Sequence, residues 1–335
     1  MAYTATHVDS ARFLSTATGV IIRSFEWFGN LAMFCGRLVR SAITPPYELR
    51  EFVHQFDELG SKSLPLVALA GAATGIVLTL STRDSLIRFG AKSFLPAVVI
   101  FSIIKESGPI ITALVVSGRA AAGIGAELGA MKVTEQVDAM EASAVNPYKF
   151  LVATRVLACM LMLPLLTLVA DFFGILMGWV ANAAAEPISL QLFIHAGFKN
   201  VTFNDFLPPT LKTIVFGLLI GVISCFQGLH TRGGTEGVER AATNSVVLAS
   251  LFIILADVYA SGGEAVAVSD ADLMAACVDM ARLEGILGAP EGGAGLAAIT
   301  RLIAQGKISR HESVVLFNTG SGYKYLEAWQ AALGQ

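Results

Sequence analysis

Two adjacent charged residues, Lys105 and Glu106, interrupt the otherwise uncharged stretch from Ser93 to Gly118, and Gly108-Pro109 follows them. A charged side chain at the centre of a bilayer is costly, so it usually faces a cavity or an opposite charge within the protein. The proline removes a backbone donor and bends a helix at this point. We interpret Lys105 and Glu106 as functional groups that face a cavity. The alternative is a structural pair in which the two charges neutralise each other.

A second group of residues lies between the second and third apolar stretches. One face of a predicted helix presents apolar and then acidic side chains at three- and four-residue steps: Ile124, Leu128, Met131, Glu135 and Asp138. A short helix with such a face is suited to docking in a groove on a partner. The alternative, a solvated loop helix, would leave the apolar side chains of this stretch exposed together, among them Val137 and Met140.

The composition predicts a membrane protein. Hydrophobic residues make up 54% of the 335 residues and charged residues 15%, whereas soluble domains carry about 25% charged residues. A bilayer core about 30 Å thick is crossed by roughly 20 apolar helical residues. Five stretches meet this requirement: Ser63–Thr82, Ser93–Gly118, Val156–Ala185, Thr213–Leu229 and Ala241–Ala260.

Polar and small residues within these stretches predict contacts between helices. Asp171 is the only charged residue between Val156 and Ala185, and we interpret it as a structural residue that hydrogen-bonds to a neighbouring helix. Small residues at Gly71–Gly75 and Gly174–Gly178 allow helices to approach closely. The sequence alone leaves open whether they form a dimer contact or pack within one chain.

The stretch from Gly19 to Ile43 has an apolar side but is broken by charges every few residues: Arg23, Glu26, Arg37 and Arg40. We expect a helix that lies in the headgroup region with its bases toward anionic lipid. The alternative, a sixth span, would bury several charges. Lysine and arginine are more frequent before the first span, after the second and after the fourth, which predicts that these segments are cytoplasmic.

Several classes of function are not supported by the sequence. The net charge is −3 and the 23 basic residues are scattered, unlike the basic stripe of a nucleic-acid-binding protein. The four cysteines and five histidines are isolated, so we assign none to a metal site or disulfide framework. A phosphate-binding loop needs G-x-x-x-x-G-K-[ST], and the Gly306-Lys307 pair is followed by Ile308 and lacks the earlier glycine. Energy from ATP must therefore come from another chain.

The composition changes after Ala260, where Ser261-Gly262-Gly263 is expected to form a hinge. The remaining 75 residues or so resemble a soluble α/β segment. We predict two helices and one short strand in it: Asp270–Glu284, Gly295–Gln305 and Ser313–Phe317. One strand in so short a segment is a thin basis for an independent core.

The stretch Glu127–Met140 reads Glu-Leu-Gly-Ala-Met-Lys-Val-Thr-Glu-Gln-Val-Asp-Ala-Met. It resembles the signature of the MlaE/YrbE permeases, and the resemblance extends over about residues 10 to 260. The other matching segments are Lys105–Pro109, Ser117–Arg119, Asn146-Pro147, Arg155–Ala158 and Gly234–Val238.

This resemblance implies the dimeric membrane core of an ABC transporter for phospholipid-like molecules. Its implied partners are a cytoplasmic ABC ATPase and an extracytoplasmic MCE (mammalian cell entry) lipid-binding protein. In that family the helix that carries Glu127–Met140 is the coupling helix, so contacts with the ATPase are expected at Glu127, Leu128, Met131, Glu135 and Asp138. With lipid as the cargo, we interpret Lys105 and Glu106 as lining the lipid path and contacting a headgroup.

Three tail segments resemble the C-terminal end of threonine synthase, a pyridoxal-phosphate enzyme, over about residues 263 to 330: Glu284–Ile286, Pro290–Ala298 and Leu316–Tyr325. The resemblance implies that Thr319 corresponds to the residue beside the pyridine nitrogen of the cofactor. The Schiff-base lysine and the glycine-rich phosphate loop of that family have no counterpart in this sequence. We therefore expect no bound cofactor and no catalysis by the tail.

Taken together, these patterns predict an all-α, multi-pass protein of the plasma (inner) membrane. We expect about five transmembrane helices, an N-terminal interfacial helix, a cytoplasmic coupling helix and a small α/β C-terminal fragment. Residues 1–261 would form a lipid-transporting permease domain, as a homodimer or paired permease, and residues 262–335 a fragment that does not function alone. The alternatives are a pyridoxal-phosphate enzyme anchored to the membrane and a secondary transporter or channel without an ATPase.

Overall fold

The computed structural model describes residues 25–45, 47–199, 201–260, 266–309, 311–316, 320–325, 327 and 329–330. Contacts between residues divide the chain into two compact units, Met1–Ser261 and Gly262–Gln335. The first unit is built from long apolar helices. The second contains shorter helices.

Eight helices are described in the first unit. Their bounds are 25–43 (α1), Leu49–Arg88 (α2), Lys92–Val133 (α3), Gln136–Ala142 (α4), Tyr148–Ala185 (α5), Leu190–Phe198 (α6), Phe203–Leu229 (α7) and Gly234–Ala260 (α8). Within the described ranges, five helices are long and apolar enough to cross a membrane: α2, α3, α5, α7 and α8. This confirms the predicted all-α membrane protein. The helices extend beyond the uncharged stretches because their polar flanks continue the same hydrogen-bond ladder.

Helix α1 packs one side against the membrane helices. Phe34 is buried, and its ring centroid lies 5.5 Å from that of Phe226 on α7 in an edge-to-face arrangement. The Trp27 ring is stacked 6.2 Å from Phe252 on α8. The opposite side of α1 exposes large apolar side chains: Phe25, Phe28, Met33, Val39 and Ile43. This apolar outer side is compatible with the interfacial position, which stays a prediction.

Small residues bring the backbones of α2 and α5 into contact. An added Cβ at Gly75 would lie 1.9 Å from the Gly174 carbonyl oxygen, and one at Gly71 would lie 2.4 Å from the Ala170 carbonyl oxygen. Residues four apart lie on one face of a helix, so each helix contributes one stripe of small residues. The two stripes therefore pack against each other within one chain, which answers the question that the sequence left open.

Three segments of the membrane helices form the wider turns of a π-helix: Ile103–Ser107 and Ser117–Ala121 in α3, and Tyr148–Ala153 at the start of α5. Such π-bulges are rare and are frequent at functional sites. The first bulge directly precedes Gly108-Pro109, where the proline has no N–H to continue the ladder. The bulge, which contains Lys105 and Glu106, therefore ends where the sequence predicted a bend in the helix.

The second unit contains α9, Asp270–Glu284, α10, Pro290–Ala304, and a 3₁₀ turn, Gly322–Tyr325. Helix α9 follows Ser269, whose hydroxyl accepts a backbone N–H of the first turn. Helix α10 begins earlier than predicted, because Pro290 at its first position has a backbone angle that is already suited to a helix.

The strand predicted over Ser313–Phe317 is wrong for the part of that segment that the structure describes. Residues 313–316 carry no strand. A strand is stable only beside further strands or a packed helix, and the described residues offer one isolated bridge, between Gly288 and Ser321. The β-branched and apolar side chains of the segment therefore had no sheet to join.

We predict that Gly75→Ala destabilises the protein, although alanine favours a helix. The added methyl group would overlap the Gly174 carbonyl. Overpacking of this kind costs about 1–3 kcal/mol, which lowers the unfolding temperature by roughly 2 to 10 °C. Thermal unfolding in detergent, followed by circular dichroism, measures the change. Gly123→Ala is the matched control, because an added Cβ there meets nothing within 4 Å. Equal unfolding temperatures for the two variants would contradict the packing.

Candidate functional site

Three charged side chains join α3, α7 and α8, and we call them the charge cluster: Glu106, Lys212 and Asp257. The Lys212 ammonium lies 3.0 Å from Glu106 Oε2 and 2.9 Å from Asp257 Oδ1. The side chains of Lys212 and Asp257 are 13% and 12% exposed, whereas that of Glu106 is 47% exposed. Glu106 therefore lies at the border between a buried ion pair and open space.

A cavity of about 360 Å³ opens beside the charge cluster. Lys105 and Asp205 line it together with Glu106 and Lys212. The Lys105 ammonium lies 4.8 Å from the centroid of the Phe101 ring, within the range of a cation–π interaction. The structure thus brings both predicted lipid-path residues, Lys105 and Glu106, to one cavity wall that carries charges of both signs.

The sequence interpretation missed Lys212 and Asp257 as members of this site. Lys212 borders the stretch Thr213–Leu229 and Asp257 lies near the end of Ala241–Ala260, so both resembled flanking charges. Helix α7 begins at Phe203, so Lys212 lies about 14 Å along its axis and not at its end. The only sign of these two site residues in the sequence was a charged residue at the end of an apolar stretch. That signal does not indicate which helices meet.

Asp171 is a buried carboxyl group to which no described residue donates a hydrogen bond. Its exposure is 4%, and both carboxylate oxygens lack a partner among the described residues. No described donor reaches either oxygen, so an ionised Asp171 does not make the expected hydrogen bond to a neighbouring helix. The carboxyl group lies against the backbone of α3 instead, since an added Cβ at Gly108 would be 1.8 Å from Asp171 Oδ1. The absence of a side chain at Gly108 leaves the space that the carboxyl group fills.

The stretch predicted as one coupling helix forms two helices. Helix α3 ends at Val133, Glu135 has a φ of 59°, and α4 begins at Gln136. The left-handed conformation at Glu135 interrupts the helical ladder. Glu135 and Asp138 are exposed, and Asp138 Oδ1 lies 2.7 Å from Lys132 Nζ. Both carboxylates are therefore at the surface, where a partner can reach them.

The apolar side chains of this stretch pack inward. Leu128 is fully buried, and an added Cβ at Gly228 on α7 would lie 2.6 Å from the Leu128 Cβ. Val137 is buried, and Met131 and Met140 are half-buried against the same core. The predicted contact of Leu128 with an ATPase is corrected to a packing role, because its side chain has no exposed surface. Met131 keeps a partly exposed surface.

The described residues of the second unit do not fit pyridoxal phosphate. The glycine-rich start of α10 has the form of an anion site at a helix N-terminus. However, an added Cβ at Gly293 would lie 2.3 Å from Cys277 Sγ, so this glycine permits helix packing. Hydrogen bonds from its own backbone N–H and from Tyr325 lower the pKa of Glu291, and this ionised side chain in the first turn would repel a phosphate. Thr319 lies outside the described residues.

Comparison with known families gives two matches for this chain. The model of the family described as Permease MlaE matches residues 52–262. The chain belongs to the MlaE permease family. A second model, described as Pyridoxal-phosphate dependent enzyme, matches residues 229–320. It overlaps the permease match along α8 and agrees with the resemblance of the tail to threonine synthase.

Several relatives of this MlaE permease are named as ABC transporter permeases. A "Probable ABC transporter permease protein" of Rickettsia typhi is 34% identical over 236 residues, 70% of this chain and 91% of the relative. A similarly named protein of Synechocystis is 31% identical over 238 residues, 70% and 90% of the two chains. The Arabidopsis thaliana protein TRIGALACTOSYLDIACYLGLYCEROL 1, chloroplastic, is 30% identical over 234 residues, 70% and 67% of the two chains.

The chain is therefore a membrane permease subunit of an ABC transporter. The five apolar helices and the ABC permease relatives support the predicted multi-pass location in the plasma (inner) membrane. They are also consistent with a transport subunit and not an enzyme.

The MlaE permease holds Glu127 against a buried arginine. Arg155 on α5 is 1% exposed. Its Nη2 donates to Glu127 Oε1 at 2.7 Å, and its Nη1 donates to the Leu151 carbonyl at 2.9 Å. This contact joins the last part of α3 to the start of α5. Because the Glu127 side chain is 52% exposed, its predicted contact with an ATPase stays a prediction beside this role.

We predict that Glu127→Gln destabilises the permease by about 1–3 kcal/mol, because it leaves Arg155 buried without a counter-charge. The cost is less than for a fully buried pair, since Glu127 is half-exposed. Thermal unfolding in detergent measures it. The control is Glu236→Gln, which breaks the ion pair between Glu236 and Arg240. Both side chains of this pair are 72% exposed, so the control should change stability by less than about 0.5 kcal/mol. A Glu127→Gln variant as stable as the control would disprove the structural role.

Proposed function

We propose that this permease moves phospholipid or a related lipid between the membrane and an MCE-domain lipid-binding protein, with energy supplied by a separate cytoplasmic ABC ATPase. The charged cavity beside the charge cluster carries this proposal, since it opens among helices that are apolar enough to cross a membrane. A ligand that reaches this cavity from the bilayer needs a polar head and an apolar body. Membrane lipids have that chemistry.

The cavity wall supports contact with a lipid headgroup. Lys105 and Lys212 present two ammonium groups, and Glu106 and Asp205 present two carboxylates. Phosphate oxygens pair with lysine, and polar headgroup donors pair with carboxylates. The Arabidopsis relative has a glycerolipid, trigalactosyldiacylglycerol, in its name, which supports a lipid cargo over a water-soluble one.

The exposed acids between the second and third membrane helices are the proposed contact with the ATPase. Glu135 and Asp138 lie at the surface, while Leu128 and Val137 anchor the same segment in the permease core. A segment that is anchored in a packed core can pass a movement of the ATPase to the membrane helices better than a loop can, because a packed core is not continuously deformable. Closure of the ATPase is thus proposed to move α4 and the end of α3 together.

Transport is proposed to use two permease chains, identical or paired. Of the five membrane helices, α2 and α8 are the least buried within the chain. Their exposed apolar faces suit either lipid or a second permease. Alternating exposure of a lipid cavity between two permeases would then follow ATPase closure, transmitted through α4.

The tail is proposed to be a fragment that does not function alone. Residues 1–261 would be the permease domain and residues 262–335 the threonine-synthase-like fragment. The family match at residues 229–320 favours an enzyme ancestor for this segment. The helix-packing role of Gly293 and the acidic Glu291 argue against a working cofactor site, because activity resides in the complete site and not in part of a fold.

We predict that Glu106→Ala lowers lipid transfer at least fivefold, because it removes the accessible carboxylate of the charge cluster. The assay follows a fluorescent phospholipid from liposomes that contain the permease and its ATPase to the MCE-domain partner. Glu186→Ala is the control, since it removes an exposed carboxylate that pairs with Lys92 outside this cavity. Full lipid transfer by Glu106→Ala would rule out the headgroup role.

We predict that Glu135→Lys abolishes copurification of the ATPase, because a reversed charge at a docking surface repels the partner. Retention of the ATPase on the tagged permease is measured by quantitative mass spectrometry. Asp84→Lys makes the same charge change at an exposed site near the C-terminal end of α2. This control variant should retain the ATPase. If the wild-type permease copurifies with no ATPase at all, a channel or secondary transporter becomes the better interpretation.

A further inference from the structure

Asp171 is a buried carboxyl group that the proposed lipid path does not use. It does not line the cavity beside the charge cluster. It lies against Gly108, the residue that follows the first π-bulge of α3. This bulge contains Lys105 and Glu106, which line the cavity. Asp171 therefore touches the backbone that positions Lys105 and Glu106, the two residues proposed to contact a lipid headgroup.

The described surroundings of Asp171 contain no hydrogen-bond donor or opposite charge that would stabilise a carboxylate anion. Among the described residues, neither carboxylate oxygen has a hydrogen-bond donor, and no ion pair includes Asp171. On α2, the Thr74 hydroxyl donates to the Ala70 carbonyl. The charged groups of the bulge are engaged elsewhere, with Lys105 over the Phe101 ring. An unsupported anion at this depth is too costly, so the neutral acid is the favoured form.

A neutral carboxyl group has one O–H donor, and the π-bulge provides acceptors for it. The Gly108 N–H donates to the Ile103 carbonyl, five residues back. Pro109 has no N–H, so the next carbonyl, that of Ile104, lacks the donor that would continue the pattern. An added Cβ at Gly108 would be 1.8 Å from Asp171 Oδ1 and 2.9 Å from the Ile103 oxygen. The carboxyl group and the Ile103 carbonyl therefore lie on the same side of Gly108, close to each other.

We propose that Asp171 is an un-ionised carboxylic acid whose O–H donates to the backbone carbonyls of the first π-bulge, at Ile103 or Ile104. Asp171 is then a positioning residue, which stabilises the bulge that presents Lys105 and Glu106. Only the consequence for headgroup contact rests on the proposed function. The protonation state and the support of the bulge are properties of the resting permease.

Infrared spectroscopy of the full-length permease in detergent at neutral pH tests the protonation state. The wild-type protein should show a carbonyl stretch of an un-ionised carboxylic acid, and Asp171→Asn should lack it. Asp84→Asn, which removes an exposed carboxylate of α2, should leave the band unchanged. Equal bands in the wild type and in Asp171→Asn would overturn the proposal, because Asp171 would then be ionised.

Hydrogen exchange measured by mass spectrometry tests the contact with the bulge. Asp171→Asn keeps a neutral donor and should exchange within twofold of wild type over residues 103–108. Asp171→Leu is similar in size but has no donor, and it should exchange about tenfold faster there, as loss of one buried hydrogen bond predicts. Equal exchange in both variants would overturn the positioning role. Neither experiment depends on lipid transfer, so failure of the proposed function would leave these outcomes unchanged.

Discussion

The low dielectric of the membrane interior requires each charge there to find its counterpart within the protein, and this constraint decides which helices are neighbours. Lys212 meets Glu106 and Asp257, which ties α7 to α3 and α8. Arg155 meets Glu127, which ties α5 to the end of α3. Because an isolated charge in hydrocarbon is so costly, these contacts favour one helix arrangement over others of similar apolar packing.

The π-bulges of the membrane helices accompany these polar contacts. The bulge at Ile103–Ser107 carries Glu106, and the one at Ser117–Ala121 carries Arg119, whose Nη1 donates to Ser63 Oγ on α2 at 2.7 Å. Arg155 lies two residues after the end of the bulge at the start of α5. A wider turn changes the direction of the side chains after it. Each bulge thus carries or closely precedes a charge that contacts another helix. The proposed O–H of Asp171 would supply a donor to the carbonyls of the first bulge.

The two units follow different physical rules. The permease unit has apolar residues on its outer surface and small residues at the α2–α5 contact, where Gly75 meets Gly174. The described residues of the second unit form short helices, and residues 313–316 carry no strand. Resemblance to an enzyme family does not by itself imply catalysis, because a cofactor site needs groups from several parts of a complete fold.

The number of membrane helices, the exposed acids Glu135 and Asp138, and the absence of a P-loop pattern followed from the sequence by itself, because each depends on residues close together in the chain. Hydropathy over 20 residues sums local transfer energies, so it does not need the fold. The roles of Leu128, Asp171 and Lys212 needed the tertiary structure. Whether an apolar face is covered by the same chain or by a partner, and whether a charge is paired or alone, depends on which distant helices meet. That choice is made by packing and charge pairing over the whole unit, and no local window of the sequence contains it.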